Sequence, residues 1–409
     1  MIKTFGLLGE KLGHSYSPLI HSYLGEYNYP LYEVSSDCLD KFMFEKNFDG
    51  INVTIPYKQA VIPYCSSLSD EAQAIGSVNT IIKQKNGSLH GYNTDYYGFS
   101  EMLKLGNINP SGKKVLILGD GGSAQTVKFV LDELEVREVI TISRRGENHY
   151  GNIARHYDAE VIINTTPVGM YPDNGSSPLK LDSFTSLKGV ADLIYNPTRT
   201  RLLLEAEKLG TPCINGLTML VAQAEMASRL FTGADARLDL VAKITKEIHK
   251  KTKNIALIGM PGCGKSTVGK SLALKAGRLF ADIDAKVEAA AGKSIPDIFT
   301  ENGEEAFRQL ETQILAQESK KSNMVIATGG GVITRPENLD LLRQNSFIVY
   351  LERDLADLDI SGRPLSQSVG IEELANQRLP LYKAWSDFTV NAEVAGFEQT
   401  ALKILEELQ

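Results

Sequence analysis

The chain has 409 residues, 43% of them apolar and 23% charged; at about 150 residues per domain this gives two or three domains with their own cores and excludes a single small binding module. Lys+Arg 43 against Asp+Glu 50 leaves a net charge of -7, so no global basic field exists to hold a nucleic acid, and any phosphate has to be gripped locally. Cys38, Cys65, Cys213 and Cys263 form no C-x-x-C pair, which argues against a disulfide framework or structural zinc; with no signal-like segment, no 18-residue apolar run and a mean hydropathy of -0.14, the expectation is a cytoplasmic chain with no membrane partner.

The first 110 or so residues carry strand signals at Ile51–Ile55 and Val78–Ile82 separated by helical stretches, which predicts an α/β lobe. Four short motifs punctuate it: G-H-S-Y-S-P-L-I-H (Gly13–His21), G-I-N-V-T-I-P-Y-K (Gly50–Lys58), G-S-V-N-T (Gly76–Thr80) and G-Y-N-T-D (Gly91–Asp95). They gather small hydroxyls, carboxamides, one lysine and one aspartate on turns. Such a set can hydrogen-bond a polyhydroxylated substrate while Lys58 and Asp95 handle a proton beside a hydride acceptor. Taken singly, each residue also reads as a surface lysine, a turn or a cap. His14 and His21 have no Asp or Cys partner at metal-ligand spacing and are expected to be structural.

Lys113 to Arg145 reads as strand, glycine turn, helix and second strand, a βαβ unit. Its turn, Gly119-Asp120-Gly121-Gly122-Ser123-Ala124, fits G-x-G-x-x-[GA] and predicts a dinucleotide site. About 24 residues on, where an NAD site carries an acid for the ribose hydroxyl, stand Ser143, Arg144 and Arg145. Cations there suit a 2′-phosphate, which favours NADP over NAD.

From about Phe5 to Thr232 these motifs resemble the shikimate dehydrogenase family. The resemblance implies NADPH-dependent reduction of 3-dehydroshikimate to shikimate. It assigns the substrate carboxylate to Ser15 and Ser17, ring hydroxyls to Asn79 and Asp95 with Thr54 nearby, and catalysis to Lys58 with Asp95. By the same resemblance Ile163–Met170 and Asp192–Pro197 lie on the nicotinamide side, and Asn215–Ala224 offers Gln223 to the substrate while packing back on the N-terminal lobe. The implied domains are a substrate lobe, 1–105 with 215–250, and a Rossmann NADP domain, 106–214. Asp120 and Ser123 replace alanines of the family's usual loop, and Asp120 brings a carboxylate close to a pyrophosphate site. A broader quinate/shikimate oxidoreductase that also accepts NAD is an alternative, which Arg144 and Arg145 disfavour.

A helical pattern from about Asp235 to His249 ends in H-K-K-T-K-N, read as a linker at 251–253, with Lys246, Lys250, Lys251 and Lys253 as a solvated helix end. A second βαβ unit starts at Asn254, and apolar runs follow at Val325–Thr328 and Phe347–Leu351. Gly259-Met260-Pro261-Gly262-Cys263-Gly264-Lys265-Ser266 satisfies G-x-x-x-x-G-K-[ST] between strand and helix. That pattern predicts an ATP loop in which Gly259, Gly262, Gly264 and Thr267 serve the phosphates, Lys265 reaches the β/γ oxygens and Ser266 ligates Mg2+.

Beyond it stand Asp282-Ile283-Asp284, Phe307–Glu311, Gly329–Gly331, Arg363–Leu365 and Arg378–Tyr382, and together these resemble shikimate kinase across 254–409. The resemblance implies Asp282 in the Mg2+ shell, Asp284 on the substrate hydroxyls as proton acceptor, and Arg308 and Arg378 on the carboxylate. Gly330 and Gly331 then approach the ring beside Gly329, and Arg363 on a lid touches the transferring phosphate. Arg308 and Glu311 also fit an ordinary i, i+3 helix pair. The stretch from Leu351 to Arg363 is shorter than usual in that family and carries no additional arginine, so a poorly closing lid is expected unless Arg353 substitutes. The expected whole is α/β throughout: an N-terminal α/β substrate lobe plus a Rossmann NADP-binding domain, then a P-loop kinase domain with a parallel sheet. It uses NADP, ATP and Mg2+ on the small molecules 3-dehydroshikimate and shikimate. An active dehydrogenase whose kinase half has low or purely regulatory nucleotide-binding activity is the alternative, and a homodimer is left open.

Overall fold

A computed structural model describes residues 3–13, 15–359, 370–392 and 396–408. The chain is α/β throughout and divides into two compact units, one of Met1–Met170, Gly175–Tyr195 and Glu205–Ile248, the other of Tyr171–Asn174, Asn196–Leu204 and His249–Gln409.

The first unit holds two sheets. The N-terminal one is built from β1 (Phe5–Gly9), β2 (Leu31–Glu33), β3 (Gly50–Val53), β4 (Ser67–Leu68), β5 (Thr80–Lys83) and β6 (Leu89–Tyr92), in the order β2-β1-β3-β5-β6-β4. It is mixed: β1 runs parallel to β2 and β3, whereas β5 is antiparallel to both β3 and β6. The antiparallel register sets Asn52 opposite Thr80 and Thr80 opposite Tyr92, which draws three polar motifs to one place. Both strands predicted here are shorter than the sequence suggested. β3 stops at Val53 because the chain turns at Thr54, whose carbonyl accepts from the Tyr57 N–H, and Ile55 is 77% exposed. β5 begins only at Thr80 because the Val78 N–H is donated to the Lys58 carbonyl at 2.8 Å.

The second sheet comprises β7 (Lys114–Leu118), β8 (Glu138–Ile142), β9 (Val161–Asn164), β10 (Gly189–Asp192) and β11 (Cys213–Asn215), ordered β11-β10-β9-β7-β8 and parallel throughout. Its central strands are runs of Val, Ile and Leu buried on both faces, as a sheet covered on both sides requires. Strand order reverses at β7, so the crevice at its carboxyl end is the position where doubly wound sheets bind ligands. The helix Asp95–Leu105 packs against the helix Leu217–Thr232.

The second unit has one parallel sheet of β12 (Asn254–Ile258), β13 (Leu279–Asp282), β14 (Met324–Ala327), β15 (Ser346–Glu352) and β16 (Phe388–Asn391), ordered β13-β14-β12-β15-β16. Central β12 is buried along its length and feeds the glycine loop into the helix Lys265–Ala276. Apolar clusters cover both faces, one around Ile258, Phe307, Tyr350 and Trp385, the other around Leu257, Leu272, Val349 and Ile404.

Of the lysines read as a solvated helix end, Lys246 and Lys251 are exposed in keeping with that reading, whereas Lys253 departs from it. The helix there spans Leu238–Thr252 and β12 starts at Asn254. Lys253 between them is buried, with its ammonium 4.6 Å from the centre of the Phe347 ring. A cation over an aromatic face keeps its stabilisation without water, which is why this lysine tolerates burial. Among the described residues, no helix is long and apolar enough to cross a membrane, and the four cysteines are free thiols.

Candidate active sites

In the first unit the Lys58 ammonium lies 2.7 Å from Asp95 Oδ2, the two side chains being 30% and 14% exposed. Lys58 sits on the turn that follows β3. Asp95 opens the helix Asp95–Leu105, where the unpaired N–H groups favour a negative charge. Its backbone N–H is donated to Asn93 Oδ1 at 3.0 Å, and Asn93 Nδ2 in turn donates to the Ser77 carbonyl. Asn79 sits in a buried cluster with Thr94, the residue before Asp95. Its Oδ1 accepts from the Thr94 N–H at 2.6 Å and from the hydroxyls of Thr80 and Thr94, both at 3.2 Å.

Gln223, on the helix Leu217–Thr232, brings Oε1 to 3.4 Å from Asn79 Nδ2 and 3.3 Å from the Thr94 hydroxyl. Thr54 donates its N–H to the Leu8 carbonyl at the end of β1. Ser15 and Ser17 form a separate pair at the start of the helix Ser17–Leu24, with the Ser17 N–H on Ser15 Oγ at 3.2 Å. Asn52, Thr80, Asn93 and Thr94 were not singled out in the sequence. Only their place inside the motifs signalled them, because alone each reads as a strand or turn residue.

His21 is buried, stacked on Tyr29 with centroids 3.8 Å apart and with Nδ1 2.7 Å from the Tyr27 hydroxyl. Burial drives its pKa down to about 3. It is therefore a neutral packing residue. His14 lies outside the described residues.

At the carboxyl end of β7, Gly119 adopts φ 101, and a Cβ there would stand 2.9 Å from Thr165 Oγ1, so glycine is required on both counts. Gly121 caps the helix Gly122–Glu133; Gly121, Gly122 and Ser123 are exposed while Ala124 is buried. The helix N-terminus is thus open to an anion. At the end of β8, Ser143 is buried and Arg144 and Arg145 are exposed. Tyr150 lies within the fields of both Arg144 and Asp120; burial foremost raises its pKa, with Arg144 opposing and Asp120 adding.

In the second unit the loop glycines Gly259, Gly262 and Gly264 have φ of 150, 84 and 96. Lys265 is buried and donates to the carbonyls of Gly259 at 2.8 Å and Met260 at 2.9 Å. Ser266 and Thr267 are exposed in the first turn of the following helix. Asp282, at the end of β13, caps the helix Ile283–Ala291 by accepting from the Ala285 N–H at 3.3 Å, which puts Asp284 in that helix's first turn.

The segment Gly329–Gly331 lies at the focus of this unit. A Cβ at Gly329 would collide with the carboxylates of Glu311 and Asp284, one at Gly331 with the Arg308 guanidinium, and one at Gly330 with the Pro261 ring. The Gly330 carbonyl accepts from Arg378 at 3.3 Å and from the Tyr382 hydroxyl. Arg308 pairs with Glu311 at 2.7 Å and with Glu304 at 3.2 Å. Glu311 is fully buried, and burial raises its pKa; Arg308 opposes that shift and Asp284 adds to it. The structure therefore gathers Asp284, Arg308, Arg378, the three glycines and Pro261 of the phosphate loop. It also adds Glu311, which the sequence offered only as a helix pair, and Tyr382.

Arg363, the expected lid arginine, lies outside the described residues. Arg353 has its guanidinium 5.8 Å from the Phe397 ring centre. The backbone of Asp359 crosses Gly262 so closely that a Cβ there would strike it.

A doubly wound parallel sheet with a glycine-rich turn alongside a mixed sheet that carries a lysine–aspartate pair, and a P-loop whose Pro261 meets a cluster of arginines and carboxylates, are the features of an oxidoreductase and a kinase on one chain. Residues 7–81 match the family model of the shikimate dehydrogenase substrate binding domain, and residues 261–409 match that of shikimate kinase. The shikimate dehydrogenase (NADP(+)) of Clostridium perfringens strain ATCC 13124 is 37% identical over 259 residues, which span 57% of this chain and 93% of that protein. Among solved structures, a chorismate mutase/shikimate 5-dehydrogenase fusion protein from Clostridium acetobutylicum aligns with TM-score 0.58 and 33% identity, over 61% of this chain and 98% of that one. The shikimate 5-dehydrogenase of Thermus thermophilus, in complex with NADP(H) and shikimate, aligns with TM-score 0.55 and 32% identity over 60% and 99%. The chain belongs to the shikimate dehydrogenase family and carries, in addition, a shikimate kinase domain.

Proposed function

We infer that the chain catalyses two consecutive steps of the shikimate pathway: reduction of 3-dehydroshikimate to shikimate with NADPH, then phosphorylation of the 3-hydroxyl with ATP and Mg2+. The observation that carries the first step is the Lys58–Asp95 pair at 2.7 Å, with the Asn79–Gln223 contact reaching Thr94, the chain neighbour of Asp95. NADPH, when bound, supplies the hydride to the ring carbonyl. Lys58 gives its proton to the oxygen on which negative charge develops, and Asp95 holds the ammonium in place. Asn79 and Gln223 orient ring hydroxyls, Ser15 and Ser17 hold the carboxylate, and Thr54 lies nearby. The exposed helix N-terminus at Gly121–Ser123 suits the pyrophosphate, and Ser143, Arg144 and Arg145 suit the 2′-phosphate of NADP.

In the second unit the buried Lys265, whose ammonium donates to two loop carbonyls, fits a β/γ-phosphate, and exposed Ser266 with Asp282 fits Mg2+. ATP, when bound, supplies the phosphoryl group. Asp284 takes the proton of the attacking hydroxyl, Arg308 and Arg378 clamp the carboxylate, and Gly330 and Gly331 leave room for the ring. Arg363 belongs to this reading as the lid cation. The domains of the reading are the substrate lobe, 1–105 with 215–250, the NADP domain, 106–214, and the kinase, 254–409. Four free thiols suit a reducing cytoplasm. A purely regulatory kinase half is not favoured: Lys265 held within the phosphate loop, and Arg308 and Arg378 beside Gly331 and Gly330, support phosphoryl transfer.

The test is incubation of the whole chain with shikimate, ATP and Mg2+. Shikimate 3-phosphate should form, detected by mass spectrometry, and should vanish in Lys265→Ala while 3-dehydroshikimate reduction continues. Unchanged shikimate from a chain that still reduces 3-dehydroshikimate would overturn the kinase assignment.

A further inference from the structure

We propose that Thr80, aligned from behind by Asn52 and Tyr29, is a positioning residue of the dehydrogenase site that fixes the Asn79 carboxamide so that it offers its substrate N–H donors only. The proposal rests on the reading that Asn79 touches the substrate.

The orientation of the Asn79 and Asn52 carboxamides is settled by donors and acceptors whose roles are fixed by chemistry, while the Thr80 and Thr94 hydroxyls, 3.4 Å apart, can donate in either sense. A backbone N–H can only donate, so the Thr94 N–H at 2.6 Å forces the carbonyl oxygen of Asn79 inward and its NH2 outward. The Thr80 hydroxyl accepts from Asn52 Nδ2 at 3.0 Å, which turns its one proton to the other side, where the same Asn79 oxygen at 3.2 Å is the nearer acceptor and the Thr94 hydroxyl at 3.4 Å the farther one. Asn52 is oriented in its turn, because the Tyr29 hydroxyl donates to its Oδ1 at 2.7 Å. A flipped Asn52 would turn that oxygen toward the Asn79 backbone carbonyl, which its Nδ2 now faces at 3.5 Å. Tyr29, Asn52, Thr80 and Asn79 therefore form a chain with a single sense, ending in the Asn79 NH2 beside Gln223.

Burial gives the chain its force. Asn52 and Asn79 are nearly inaccessible and Thr80 and Thr94 fully so, and water cannot replace a lost partner there. The antiparallel register that opposes Asn52 to Thr80 holds the geometry from the backbone. A group bound by Asn79 must present a lone pair, and a ring hydroxyl that does so must send its own proton elsewhere, for which Asp95 is the nearby acceptor.

Thr80→Val keeps the shape and removes the hydroxyl. With one orienting hydrogen bond lost, KM for shikimate should rise roughly three- to tenfold. NADP binding, followed by isothermal titration calorimetry, should stay unchanged, and Thr80→Ser should restore the parent KM. Across mono-deoxy shikimates, the penalty the parent imposes for one missing hydroxyl should shrink in Thr80→Val, whereas general loosening would slow all analogues alike. Asn79→Ala is run beside it. No rise in KM for Asn79→Ala would overturn the substrate-contact reading. A rise there, with the parent KM and parent discrimination kept in Thr80→Val, would overturn the positioning role. Should Thr80→Val not fold, Tyr29→Phe decides in the same way, an unchanged KM and unchanged discrimination refuting the chain.

Discussion

The Arg308–Glu311 pair in the kinase unit makes the sharpest prediction about stability. Glu311 is fully buried and Arg308 nearly so, with 2.7 Å between charged atoms. Replacing Arg308 with Met keeps most of the volume and removes the cation. Breaking a buried pair from one side costs about 3–5 kcal/mol, because it leaves a buried charge without a partner. A domain stable by about 5–15 kcal/mol survives that loss.

The deficit must also depend on pH in a fixed direction. Burial already raises the pKa of Glu311 above its ordinary value, and Arg308 is the main force opposing that shift. A carboxyl with a raised folded pKa contributes stability below its unfolded value, about 4.3, and loses it as pH rises through the folded one. Without Arg308 the rise is larger, so the variant should fall further behind the parent as pH increases from about 4.5.

The chain has a single tryptophan, Trp385, which is buried in this unit, so its fluorescence during urea titration reports this unfolding alone. With a urea slope near 2 kcal/mol/M, the midpoint should fall by roughly 1.5–2.5 M near neutral pH. Arg308→Met with Glu311→Leu should recover most of it. A midpoint loss that is equal at about pH 5 and about pH 8, or a double variant no better than the single, would refute the buried-charge account.

Three further outcomes are expected. Lys58→Ala should lower kcat for 3-dehydroshikimate reduction by about 10²–10⁴ while phosphorylation of shikimate by the same chain is unaffected, and a fall under tenfold in steady-state assays would contradict the proton-donor assignment. Arg144→Ala and Arg145→Ala should each weaken NADP binding by about tenfold in equilibrium titration and leave NAD binding nearly unchanged; an unaltered preference would exclude them from the 2′-phosphate site. His21, held neutral by burial with a pKa of about 3, leaves the unfolded chain as the state that takes up a proton below about 6.5. Stability is then lost as pH falls from about 6.5 toward 3, by about 2 kcal/mol at pH 5, and His21→Gln should remove that slope from urea unfolding followed by far-ultraviolet circular dichroism.

What the sequence revealed follows from how each feature is encoded. The loops at Gly119 and Gly259 were legible because their chemistry is local: a strand, a glycine that must take positive φ, and a helix N-terminus in consecutive residues. The two parallel sheets were legible for the same reason, since strands buried on both faces read as unbroken runs of Val, Ile and Leu.

The N-terminal lobe was legible only as motifs. What joins Lys58, Asn79 and Asp95 is the antiparallel register of β3, β5 and β6, and register is a relation between distant segments that no single stretch carries. The same holds for Glu311, whose i, i+3 spacing from Arg308 looks like any surface pair until Gly329 closes over it. Lys253 reads as solvated because a lysine after a helix is so unless an aromatic ring from another strand covers it, and Phe347 stands 94 residues away in sequence. In each case the residue type was visible and its partner was not. Buried polar networks such as Tyr29–Asn52–Thr80–Asn79 are therefore where a structure adds most, since one missing partner inverts the energetic sign of the rest.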